Sequence, residues 1–195
     1  MSRPRTFAIP TVVKAAKELF WRRGYAGTSL GDVEAATGLN RSSLYQAFGS
    51  KERLFDAALD DYVTTFMGSL LGPMEGATAG PDDVQVFFGK LAARFRDDPA
   101  AARKGCLWVN SLAEFSGRGD ALEVSANAYR ARLYNAFNNA LSSGGRVAEH
   151  RAHDLAQRRS RMLAATTFGL WLAARIDATE AAVLADAVRA EVRSW

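Results

Sequence analysis

Cysteine, histidine and proline are all scarce in these 195 residues, which hold one Cys, two His and five Pro. A lone thiol, Cys106, closes no internal disulfide, and this points to a reducing compartment, the cytoplasm. His150 and His153 stand three apart with no cysteine beside them, a poor metal site, so neither metal nor cofactor is expected. No apolar run reaches the roughly 18 residues that a membrane span needs, and the longest, 162–174, stops at Arg175. The basic start, with Arg3 and Arg5, leads into no apolar stretch, so neither a secretory leader nor a membrane partner is expected. Val, Ile and Thr are sparse beside Ala and Leu, which favours helices over sheets.

What is present is ordinary globular composition, 48% hydrophobic and 24% charged, which excludes general disorder. The charge is unevenly placed. Residues 1–53 carry nine Lys/Arg against four Asp/Glu, a surplus of +5, whereas residues 54–195 come to −1. A basic end on an otherwise balanced chain points to a polyanion, most simply duplex DNA.

The apolar spacing predicts an all-α chain of about nine helices. Val12/Val13, Ala16 and Leu19/Phe20 mark a first amphipathic helix stopped by Gly24. Thr28-Ser29 offers a cap for a short helix with Leu30, Val33 and Ala36 on one face, ended by Gly38. Asn40 caps the next, with Leu44, Ala47 and Phe48 inward. Ser50 caps a longer one carrying Leu54/Phe55, Ala58/Leu59, Tyr62 and Phe66. Gly72 to Pro81 reads as a linker, being dense in Gly and Pro. Beyond it come a stripe of Val84, Phe87/Phe88, Leu91 and Phe95, a segment near 103–115, and a long helix from Asp120 to about Leu141. The last two run from about His153 to Ile176 and onward from the Asp177–Glu180 capping box.

The stretch Thr28 to Lys51 carries the function. Two short helices joined by the tight turn Thr37-Gly38-Leu39 form a helix-turn-helix, whose second helix enters the major groove. With Leu44, Ala47 and Phe48 inward, Arg41, Ser42, Ser43, Tyr45 and Gln46 remain outward. Arg pairs with guanine and Gln with adenine, while Ser and Tyr hydroxyls hold phosphate oxygens. Thr28 and Lys51, at the starts of flanking helices, would grip neighbouring phosphates. The division expected is a three-helix DNA-binding head, 1–53, and a helical ligand-binding and dimerisation body, 54–195.

Residues Val12 to Tyr62 resemble the N-terminal domain of the TetR family of bacterial transcriptional regulators. The resemblance is carried by Ala16, Leu19-Phe20, Gly24-Tyr25, Thr28-Ser29, Asp32-Val33, Gly38, Ser43-Leu44-Tyr45, Phe48, Lys51 and Leu54-Phe55. Gly105-Cys106-Leu107 with Asn110 is similar to a segment of one broad subgroup of such regulators. What the resemblance implies is a homodimeric repressor that leaves its palindromic operator when a small molecule binds the body.

Phe88, Trp108, Asn110, Tyr129 and Trp171 are the candidate lining of a pocket for an apolar or aromatic inducer. Leu163, Ala164, Thr167, Phe168 and Trp171 are the candidate dimer contacts, since 162–176 is more apolar than one buried face needs. Cys106, after Arg103-Lys104, is a candidate electrophile- or redox-sensing thiol, because nearby cations lower a thiol pKa; the alternative is a buried structural thiol. A rival class, a helical enzyme with an incidental basic start, finds no support in a Walker loop, a zinc-binding His/Glu helix or a Gly-x-Ser-x-Gly elbow. No catalytic residue is assigned.

Overall fold

In a computed structural model of the chain, the structure describes residues 8–115, 120–142 and 149–195. The head consists of α1 (Ile9–Arg23), α2 (Leu30–Thr37) and α3 (Arg41–Phe48). A connecting rod follows: α4 (Lys51–Tyr62), a π-helical turn (Val63–Met67) and α5 (Gly68–Glu75). The body adds α6 (Pro81–Asp97), the single turn α7 (Pro99–Ala102), α8 (Leu107–Phe115), α9 (Asp120–Ser142), α10 (Glu149–Ile176) and α11 (Ala178–Arg193). With the rod taken as one helix and α7 set aside, the described residues form nine helices and no strand, as the spacing predicts.

Each head helix begins and ends where its sequence dictates. Ser29 and Asp32 form a reciprocal capping box on α2, and Asn40 and Ser50 cap α3 and α4 by accepting from Ser43 and Arg53 N–H groups. Gly38 closes α2 in the left-handed conformation, φ 72°, ψ 5°, where a side chain is disfavoured. Val12, Ala16, Leu19 and Phe20 of α1 pack with Val33, Leu39 and Leu44 and with Leu54, Phe55 and Ala58 of α4. Ala36 and Ala47, expected inward, are exposed. The two short helices instead anchor through one fully buried residue each, Val33 and Leu44, with Leu39 of the turn buried between them.

The linker expected over Gly72–Pro81 is shorter than its composition suggests, since α5 continues to Glu75 with Pro73 inside it. Burial of Leu70, Leu71 and Met74 outweighs the poor helix propensity of Gly and Pro there. Asn139 of α9 donates to the Met74 and Gly76 carbonyls at 2.9 and 3.0 Å, satisfying the frayed end. The boundary expected at 53/54 falls inside α4, which packs on α1 and forms the first segment of the rod.

Within the π turn the Gly68 N–H reaches the Val63 carbonyl five residues back. That carbonyl also accepts from Arg132 at 3.2 Å, and Arg132 is held by a paired contact with Glu75 at 2.6 and 3.0 Å. The body core gathers Phe87, Phe88, Leu91 and Phe95 of α6, Leu133 and Phe137 of α9, and Leu163, Thr167, Leu170 and Trp171 of α10. Small residues on α11 (Ala178, Ala181, Ala182, Ala185) are buried against this core, which allows close helix approach.

Candidate nucleic-acid interface and body site

Burial of Leu44 turns the opposite face of α3 outward. Arg41, Ser42, Tyr45 and Gln46 are all exposed, Tyr45 at 44%, and Ser43 is half-buried beneath them. One helix face thus gathers a guanidinium, an amide, a phenol and a hydroxyl, the set able to meet base edges and phosphates.

The two flanking residues sit differently from expectation. Thr28 is 1% exposed, and its hydroxyl donates to the Gly24 carbonyl at 2.6 Å. It therefore fixes the α1–α2 turn from inside rather than offering a hydroxyl to phosphate. Lys51 donates from Nζ to the Tyr25 carbonyl at 2.7 Å and lies 4.1 Å from the Tyr25 ring centre. Partial burial pushes its ammonium pKa below the usual lysine value, with Glu114 and Asp32 pulling the other way. Asp32 has its carboxyl held at about 2, chiefly by hydrogen bonds from the Ser29 side chain and backbone, then by Arg23. Arg23 pairs with it across the α1–α2 junction.

Head and body meet along α1, an arrangement with no local sequence signal. Trp21 Nε1 donates to the Gly105 carbonyl at 3.0 Å, just ahead of α8. Lys104 reaches Glu18 at 3.3 Å, Lys17 reaches Asp61 at 2.6 Å, and the Ala26 N–H donates to Glu114 at 2.9 Å. Trp21 is a residue that sequence reasoning misses; its only signal is an aromatic next to the Leu19-Phe20 pair.

The five residues expected to line a pocket are instead packed on neighbours. Phe88 stacks on Phe137 with ring centres 5.8 Å apart, Trp108 lies parallel to Tyr129 at 5.4 Å, and Trp171 meets Phe95 edge-on at 5.0 Å. Asn110 donates to the Lys104 carbonyl and accepts from Arg175. A cleft of about 400 Å³ lies between α9 and α10, but Arg130, Tyr134, Arg161, Ala164 and Phe168 line it, none of them among the five.

Cys106 is fully buried, with its sulfur 3.7 Å from the Tyr129 hydroxyl. Burial pushes its thiol pKa up, the reverse of the shift expected from Arg103-Lys104, because Lys104 is turned away toward Glu18. Burial likewise raises the hydroxyls of Tyr62 and Tyr129 well above the usual tyrosine range, so all three groups stay protonated donors. No group of His, Cys, Asp and Glu among the described residues could hold a metal ion. The His150 side chain lies outside the described residues.

The expected dimer contacts also need correction. Leu163, Ala164, Thr167 and Trp171 are at most 4% exposed and face their own core, and Phe168 is packed against it. The free apolar seam runs one residue away on the same helix: Met162 (50% exposed), Ala165, Gly169, Leu172 (51%) and Ile176 (85%). These alternate three and four apart, and Val183 and Leu184 of α11 are exposed as well. Among the described residues no helix is long and apolar enough to cross a membrane.

Against known proteins, residues 12–58 match the family described as bacterial regulatory proteins, tetR family. The chain is 32% identical over 117 residues to the transcriptional repressor ComR of Escherichia coli K12, covering 58% of this chain and 54% of that protein. It is 46% identical over 63 residues to the repressor BdcR of the same strain, 32% of each chain. The matches thus span about half the length of these relatives or less. Along the full chain, it superimposes on a cysteine mutant of the TetR family regulator CifR complexed with 26-base-pair operator DNA, at TM-score 0.75 and 27% identity, covering 100% of both chains. Reduced NemR of E. coli shares the fold, at TM-score 0.77 and 18% identity over 95% of each chain.

Proposed function

Since this chain belongs to the TetR family of bacterial regulatory proteins, we propose that it is a cytoplasmic, ligand-responsive repressor, which binds a palindromic DNA operator as a homodimer. The observation that carries this reading is the outward face of α3. Arg41 and Gln46 stand there as base-reading groups, with Ser42, Ser43 and Tyr45 to hold phosphates, on the basic end of the chain. Lys51 adds charge near the backbone and shares its ammonium with Tyr25; Thr28 supports the turn from below. The DNA-binding unit ends within α4 and the rest of the chain is the effector and dimer unit. This reading assigns the chain no reaction.

One head reads one half-site, so two-fold pairing is needed to read a palindrome. The seam of Met162, Leu172 and Ile176 on α10, with Val183 beside it on α11, is the surface we assign to that pairing. Supporting it are the small Ala165 and Gly169 between the large residues, which let a partner helix approach.

Genomic footprinting with the purified protein tests the reading. A specific, near-palindromic site is expected, with affinity that falls as salt rises. Arg41→Ala and Gln46→Ala should each cost ~1–3 kcal/mol and relax discrimination at one position of each half-site. Unchanged affinity and specificity in both variants would sink the assignment of α3 as the reading helix.

A further inference from the structure

The middle of the body holds polar atoms that its core leaves unsatisfied. The indole N–H of Trp171 (1% exposed) and the Nε–H of Arg94 are buried and make no hydrogen bond, and the Tyr62 hydroxyl (0%) has no partner beyond the weakly bonding Cys106 thiol. The Tyr129 hydroxyl has only the Cys106 thiol, 3.7 Å away. Folded interiors pair such groups as a rule, so an unpaired set is informative. These groups are all donors, and Arg94 forms no ion pair with a carboxylate among the described residues.

One ring ties the group together. Phe66 stacks on Tyr62 at 5.0 Å, meets Trp171 at 5.9 Å, and lies 4.3 Å beneath the Arg94 guanidinium. It also touches Trp21 of α1 at 5.8 Å. Phe66 is only half-buried, and it belongs to the π turn, where the helix has already widened. Turns of this kind are frequent at functional sites.

We propose that Phe66 is the stopper of a closed effector site, and that the effector is an aromatic carboxylate. Its oxygens meet the donors of Arg94, Tyr62 and Trp171, while its flat frame takes the place of the Phe66 ring. The inference rests on the reading above that the body binds a small molecule, and it narrows the apolar or aromatic class to an anionic one. It also supplies the route to the head. When the ring leaves, Trp21 loses a neighbour, and Trp21 is the residue that ties α1 to the Gly105 carbonyl ahead of α8.

The test uses the intact Phe66→Ala dimer, titrated with benzoate and with toluene by calorimetry and tryptophan fluorescence. Benzoate is expected to bind at least tenfold more tightly than toluene, and the wild type should bind benzoate more weakly than the variant. Adding Arg94→Gln should cost benzoate at least tenfold while leaving toluene within threefold. Plain core packing predicts the opposite order, since an unpaired carboxylate is costly to bury and toluene is not. Toluene binding as tightly as benzoate, or no binding of either, overturns the proposal. Should Phe66→Ala fail to fold, Phe66→Leu carries the same comparison with the same two outcomes. Operator binding without probe is measured alongside. If it is intact while benzoate shows no preference, the effector class is wrong and the regulator reading stands; if the wild type binds no operator, the regulator reading is what fails.

Discussion

Replacing Gly24 by alanine probes the joint between head and body. Gly24 ends α1 at φ 72°, ψ 171°, a backbone region essentially reserved for glycine. A methyl group there would lie 2.0 Å from Glu114 Oε1, so the carboxylate must leave. With it goes the 2.9 Å bond from the Ala26 N–H. Backbone strain at such a position costs about 1–3 kcal/mol. Losing the hydrogen bond, which lies at an exposed position, costs about 1 kcal/mol net. Gly24→Ala should therefore destabilise the protein by about 2–4 kcal/mol, and Glu114→Ala by about 1. In the Glu114→Ala background no carboxylate remains to displace, so Gly24→Ala should cost the strain alone, about 1–3 kcal/mol. Equilibrium urea unfolding of all four proteins, at one protein concentration, closes the cycle and should return a coupling of about 1 kcal/mol. Strictly additive losses would refute the contact as an energetic link between α1 and α8.

Leu172→Glu places an unpaired charge in the middle of the proposed seam. It should yield monomers in analytical ultracentrifugation and abolish tight operator binding; a dimer that survives it means the partner sits elsewhere. Asp32 has a depressed folded-state pKa, so the stability it contributes is fully present above the ordinary aspartate value of 3.8 and is lost as pH falls through about 2. Helical circular dichroism should record that acid-side loss in the wild type, and Asp32→Asn should remove this component; an identical acid profile would refute the cap. Cys106, buried with a raised pKa, should react with iodoacetamide more than a hundredfold more slowly than a cysteine in a short peptide, until urea unfolds the protein. Rapid labelling of the folded protein would restore the thiol as a sensor.

Much of the head was legible because its signals are local. Ser29, Asn40 and Ser50 cap the helices they precede, and Gly24 and Gly38 end theirs, since caps and terminators act within one turn. Which alanine faces inward was not legible. In helices of eight residues a single anchor such as Leu44 suffices, and Ala36 and Ala47 carry too little apolar surface to decide a face. Thr28 illustrates the same limit: its position at a helix start is a sequence fact, but its hydroxyl turns to Gly24 because the turn closes on itself. In the body, composition identified the aromatics but not which way they turn. Trp171 and Thr167 share α10 with Leu172 and Ile176, and a one-residue difference separates core from surface. That choice depends on where α6, α9 and α11 lie, which no window along α10 contains. The sequence leaves the role of Cys106 open between sensor and structural thiol for a related reason: the cations beside it, Arg103 and Lys104, precede α8, and Lys104 points to α1.

The π turn in the rod acts as a phase corrector. Upstream, the buried stripe is Leu54/Phe55, Ala58/Leu59 and Tyr62; downstream it is Met67, Leu70/Leu71 and Met74. Counted at 3.6 residues per turn, the second stripe is ahead of the first by about one residue, or roughly 100° around the axis. An unbroken α-helix could bury one stripe only by turning the other toward solvent. The widened turn at Val63–Met67 absorbs the surplus residue, so both stripes face inward. Arg132, itself held by Glu75, braces the Val63 carbonyl within this turn. The rod is therefore two helices out of step, spliced at a joint, and its two halves keep separate pitch registers with head and body.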